Sequence, residues 1–316
     1  MATSMHDDYL KVLGPGTGLA KVFAFFERDG YSDPSAAWDA FTGTWNWAAP
    51  LATAALAADH AQTAAIRQVT GGFVLSGLWH LPSHAGTGSW LALPFAAGER
   101  QAGRTAVSRG GPDLFVVPST LLPGVMGGPA DDVSGPVLRL EGVHVPTGFA
   151  THSAGTPLLA GDGPFFWAAA AALALGAARR MVDALAAPTA SGATHGPVPT
   201  AAVAAELAAA LHDERCSLAA AVHDAPSARQ GLPSSATEQL TSLVRQAGNV
   251  VHHVVAAAYE QAMAWGGGDA ERTLVELIET STPILQQARY ATGLLPPDDR
   301  ILIRKAEHVD DGRISG

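Results

Sequence analysis

Apolar positions along this chain change their spacing twice. Up to about residue 66 they recur with the period of a helix, interrupted at LGPGTG and YSDPS. Ser35, in the second interruption, is placed to cap a helix running through AAWDAFTGTWNWAAPLATAALAADHA, whose Phe41, Trp45 and Trp47 need burial. From about 67 to 150 the runs become short, β-branched and aromatic, parted by Gly, Pro and Asp: GGFVLSGLWHL, SWLALPFA, DLFVVPS and VLRLEGVHVP. In the first of them the two-residue period of a strand sets Phe73 and Leu75 on one face and Val74 and Ser76 on the other. The longer stretch GGFVLSGLWHLPSH, residues 71–84, predicts a hairpin that turns after Gly77. GERQAGRTAVSRGGPD, between two of the runs, is the expected surface loop.

Beyond about residue 158 the helical period returns in four long stretches, PFFWAAAAALALGAARRMVDALAA, PTAAVAAELAAALHDERCSLAAAVHD, SATEQLTSLVRQAGNVVHHVVAAAYEQAMAW and DAERTLVELIETSTPILQQARYATG. Pro- and Ser-rich breaks near 188–199 and 225–236 make the connections, and the pattern predicts an antiparallel bundle. Each Ala buries little apolar area, so such a bundle is expected to gain partner helices from another subunit, in a homo-oligomer or a hetero-oligomer.

Composition narrows this picture. With 47% hydrophobic and 15% charged residues in 316, the chain can bury a large core and form two or three compact units. A net charge of -10 argues against nucleic acid and against an anionic membrane surface. Cys216 is the one cysteine, which rules out an internal disulfide and fits a reducing cytoplasm. MATSMHDDYL is acidic where a signal peptide is basic. The apolar run Pro164 to Ala178 is shorter than the roughly 18 residues of a spanning helix and reads as a buried one.

Helices, then a β-region carrying GGFVLSGLWHLPSH, SWLALPFA, DLFVVPSTLLPGV and VLRLEGVHVP in that order, then four helices: this layout resembles the acyl-CoA dehydrogenase superfamily and its flavin-dependent monooxygenase relatives over about residues 30–290. The resemblance implies an α+β fold with a shortened N-terminal helical region (1–66), a central β-barrel-like domain (67–155) and a C-terminal four-helix bundle (156–316). It implies a flavin-dependent oxidoreductase that desaturates an acyl thioester or oxygenates a small substrate, with FAD as cofactor and FMN or no flavin as the alternatives. In the family's register Ser83 falls where a hydroxyl meets the flavin ring and Leu81 where an aromatic packs, while the turn of Trp265, Gly266 and Gly267, with Arg272 after it, falls at the phosphate tail.

The chain departs from that pattern where the phosphate is held. His84 replaces a Gly, GVMGGPADDVSG lacks an arginine, TASGATHGPVPTAAV lacks the Arg-x-x-Phe of the family, and Val275 stands at the second arginine of the last helix. The N-terminal part is about half the family's length. No residue matches the glutamate that removes the α-proton. Glu260 and Glu279 lie in the right region but read as solvated faces. These losses make a second reading of the chain, as a flavin-free structural partner of a full-length homologue.

Other constellations say less. GPGTGLAK lacks the Gly-Lys-Ser/Thr of a phosphate loop. His212 and Cys216, four apart on a helix, offer two metal ligands, without a third in view; a surface His beside a buried Cys is the plainer reading, so no metal is expected. His252 and His253 are adjacent and face different ways. Ser83 with His80 and His84 lacks a nucleophile elbow, although either histidine beside a substrate could work as acid or base.

Overall fold

The computed structural model describes residues 8–12, 17–46, 55–57, 65–81, 90–95, 111–118, 122, 137–152, 156–157, 163–187, 200–225, 232–264 and 268–294. After a helical turn at 8–12 come α1 (Leu19–Ser32) and α2 (Pro34–Thr44). Among the described residues nine strands follow, with a 3-10 turn (Thr147–Phe149) between the seventh and the eighth: β1 (Trp45–Asn46), β2 (Ala55–Ala57), β3 (Ala65–Val69), β4 (Gly72–His80), β5 (Trp90–Pro94), β6 (Leu114–Pro118), β7 (Val137–Pro146), β8 (Ala150–Thr151) and β9 (Thr156–Pro157). Then come α3 (Gly163–Ala186), α4 (Thr200–Asp224), α5 (Ser234–Ala264) and α6 (Asp269–Leu294). It is an α+β fold with a C-terminal four-helix bundle, and all four expected bundle helices form.

Two N-terminal expectations are corrected. The second helix is capped by Asp33, whose side chain accepts from the Ala36 N–H at 3.0 Å with Pro34 in the first turn, and not by Ser35. It stops at Thr44, because Trp45 and Asn46 pair in parallel with Thr156 and Pro157 as a strand. Of the aromatics that needed burial, Phe41 is fully buried and Trp45 nearly so, while Trp47 lies outside the described residues. Phe41 joins Phe26, Trp38 and Phe166 in edge and tilted ring contacts that tie α1 and α2 to the start of α3.

The centre of the helical part is α3. Every residue from Phe165 to Ala178 is buried, so this helix is apolar all round and must be covered on every side. Helices α4, α5 and α6 cover it within the bundle, and α1 closes the remaining side. By length and composition alone Phe165–Ala186 could cross a membrane, and here it lies inside protein, as the buried reading expected. The crossing of α1 over α3 is backbone to backbone: a Cβ on Gly30 would stand 2.3 Å from the Leu173 carbonyl oxygen, and one on Gly176 would stand 2.2 Å from that of Glu27. Only glycine lets the two helices approach so closely.

The described strands form three sheets and no closed barrel: β3-β4-β7, β2-β5-β6-β8 and β1-β9. Phe73 and Trp79 of β4 meet Phe115 of β6 and Phe95 after β5 in edge-to-face contacts, joining the two larger sheets through one aromatic core. The expected turn after Gly77 does not occur. Gly72–His80 is one strand; its hairpin lies earlier, at Thr70 and Gly71 (φ 75°), where Val69 pairs with Gly72. The irregularity near Gly77 belongs to its neighbour. Leu75 pairs with Val143 and Gly77 with Leu140, so β7 carries one extra residue, with Gly142 at φ 68° and its N–H donating to Ser76 Oγ at 2.9 Å. That bulge explains the sequence VLRLEGVHVP: Leu138 and Leu140 face inward, and the extra residue resets the alternation so that Val143 and Val145 do as well.

Candidate functional site

The strand that carries the family-like segment ends at the site. Held between β3 and β7, β4 alternates Phe73, Leu75 and Trp79 into the core, and Trp79 donates its indole N–H to the Pro94 carbonyl at 3.2 Å. The strand then delivers His80, half-buried, and Leu81, 3% exposed. Ser83 and His84 follow and lie outside the described residues, as do Trp265, Gly266 and Gly267 at the turn between α5 and α6. Glu260 and Glu279 are exposed on α5 and α6, and His252 and His253 are exposed as well. Arg272 is exposed in the first turn of α6 and forms an ion pair with Asp269, three residues before it.

Around Arg272, where the resemblance places the phosphate tail, Asp269 and Glu271 offset the positive charge. Arg272 is engaged by Asp269, and beside it the buried Glu271 Oε2 finds no hydrogen-bond partner among the described residues. An unpaired carboxylate oxygen calls for a donor or a cation and repels a phosphate. Leu81, which the resemblance sets against the ring, is packed into the core.

A second cluster escaped the reading of the sequence. Glu27 of α1 is buried, its side chain 5% exposed, and its Oε1 accepts from Arg179 Nη1 of α3 at 2.6 Å and from Arg215 Nε of α4 at 2.5 Å. One carboxylate thus ties three helices, and its bond raises the Arg215 guanidinium above its ordinary pKa. Next to it Arg180 caps the end of α1 through the Tyr31 and Ser32 carbonyls, while Tyr31 donates to Asp183 Oδ2 at 2.7 Å, a bond that raises the phenol pKa. A cleft of about 280 Å³ opens between α3 and α4 at this cluster. His212 lies on its rim, with Nε2 3.5 Å from the sulfur of Cys216; the thiol is exposed, not buried as the spacing suggested. Among the described residues no group of three metal-ligating side chains comes together. The only sequence signals for this cluster were Arg-Arg at the end of an otherwise apolar helix and a lone Glu-Arg in an alanine-rich one.

No protein-family model matches the chain, and no curated protein matches it significantly. Solved structures do. The HsaA monooxygenase from M. tuberculosis is 17% identical, with 92% of this chain and 83% of that chain covered and a TM-score of 0.38. The 3-HSA hydroxylase from Rhodococcus sp. RHA1 is 17% identical, covering 93% and 83% at a TM-score of 0.39. Butyryl-CoA dehydrogenase from Megasphaera elsdenii is 14% identical, covering 90% and 83% at 0.40. The Glu27 cluster sits between α1, α3 and α4.

Proposed function

We propose that this chain is a flavin-dependent oxidoreductase of the acyl-CoA dehydrogenase kind, acting on a small molecule such as an acyl thioester. The observation that carries the reading is β4: GFVLSGLWH forms one strand between β3 and β7, and Ser83, which the resemblance assigns to the flavin ring, follows it three residues later in the sequence. On this reading Ser83 donates its hydroxyl to the ring, His80 or His84 acts as acid or base, and Trp265, Gly266 and Gly267 line the tail. The flavin, FAD in the first instance, supplies the redox chemistry when bound.

A specific observation favours a second reading. Arg272 paired with Asp269, beside a Glu271 oxygen that has no partner among the described residues, suits a flavin-free chain whose bundle completes the site of a full-length homologue in a hetero-oligomer. One experiment separates the two. Purified protein is titrated with FAD and with FMN, oxidised and reduced, and scanned for the flavin band near ~450 nm together with quenching of flavin fluorescence. Saturable binding that Ser83→Ala weakens supports the enzyme. A preparation that stays colourless, and yellows only with a co-expressed homologue, sinks it in favour of the partner role.

A further inference from the structure

The cleft beside Glu27 combines what a small organic acid needs. Its apolar wall is Val182 of α3 with Ala208 and Leu211 of α4, and its polar rim is Arg179, Arg215 and His212. Arg215 meets Glu27 through Nε, which leaves both terminal nitrogens of its guanidinium for the cleft that this side chain lines. The arginine side chains are 43% and 37% exposed while Glu27 behind them is buried, so the carboxylate orients the two guanidinium groups from the protein side without covering them. Asp183, the one acid on the rim, already accepts from Tyr31. Among the lining residues the guanidinium groups of Arg179 and Arg215 stand against the carboxylate of Asp183, with Glu27 behind them.

We propose that this cleft is a binding site for a small monocarboxylate with an apolar body, its carboxylate on the Arg215 fork and His212, its hydrocarbon against Val182, Ala208 and Leu211. Size and chemistry select that class. At about 280 Å³ the cleft is just below the roughly 300–1,000 Å³ of sites for drug-sized ligands, so it takes a compact molecule. A planar guanidinium fork matches a planar carboxylate through two parallel hydrogen bonds, and one apolar wall excludes water from only one side of the ligand.

Benzoate tests this by isothermal titration calorimetry on the full chain, with benzamide and inorganic phosphate as the other ligands. Saturable benzoate binding is expected, with benzamide at least tenfold weaker because it lacks the charge, and phosphate weaker because it lacks the apolar body. Arg215→Gln is expected to lower benzoate affinity tenfold or more, and His212→Gln, which leaves the Glu27 bonds in place and so guards against a folding defect, severalfold. Absence of benzoate binding through the millimolar range overturns the proposal. So do equal binding of benzamide, phosphate binding as tight as benzoate, and an unchanged affinity in His212→Gln.

Discussion

Replacing Glu27 by glutamine keeps the volume of the side chain and removes its charge, so it isolates what the carboxylate does for the crossing of α1, α3 and α4. Two charge-assisted hydrogen bonds of about 1.5–3 kcal/mol each are the upper limit. With Arg179 and Arg215 at 43% and 37% exposure, both guanidinium groups regain water when the charge is lost, which screens each bond down to about 1 kcal/mol. Glu27→Gln is therefore expected to cost about 2 kcal/mol. Arg179→Met or Arg215→Met alone, which keeps most of the apolar stem, is expected to cost about 1 kcal/mol, because the second arginine still neutralises the carboxylate. Both together strand a buried charge, for about 3–5 kcal/mol, more than the sum of the singles. Urea unfolding followed by far-ultraviolet circular dichroism measures all four variants against the parent. A Glu27→Gln midpoint unchanged from the parent, or a double variant equal to the sum of the singles, refutes the reasoning, since either means that water already reaches the carboxylate.

Gly176→Ala gains about 1 kcal/mol of intrinsic helix propensity yet is expected to destabilise, because its methyl would stand 2.2 Å from the Glu27 carbonyl; a thermal midpoint above the parent's contradicts the close crossing of α1 and α3. Gly142→Ala forces an L side chain into φ 68° at a cost of about 1–2 kcal/mol, and Ser76→Ala removes the bond to the same bulge for about 1 kcal/mol; midpoints equal to the parent's would mean that β7 pairs without the bulge. The Tyr9 phenol is raised above its ordinary pKa chiefly by burial and then by Asp29, and it donates to the Ala37 carbonyl at 3.3 Å. The folded state therefore keeps this proton when the unfolded chain loses it, so the contribution is whole below pH ~10 and falls by up to about 1.4 kcal/mol per pH unit above it. Alkaline denaturation curves should lose part of that slope in Tyr9→Phe, and an unchanged slope would show that the phenol is solvated.

The sequence by itself determined every element whose signal is local. The four bundle helices stand out because long apolar periods end at Pro, Ser and Gly, and β4 to β7 stand out because short β-branched runs are set off by turn residues. In the candidate site, the sequence pointed to a turn after Gly77 where the structure has one strand through His80, and the positions assigned to Ser83, His84 and Trp265 to Gly267 rest on the resemblance and lie outside the described residues. What only the tertiary structure decided is whatever depends on a partner distant in the chain. Helix α2 ends at Thr44, where Trp45 and Asn46 leave it to pair with Thr156 and Pro157. Gly77 stays in the strand because β7, more than 60 residues on, takes up the irregularity at Gly142. Glu27 meets Arg179 and Arg215 across separations of 152 and 188 residues, and Gly30 and Gly176 matter only because their helices cross there. Period and turn chemistry act over a few residues, whereas burial of a charge or contact between two backbones exists only once the chain has folded.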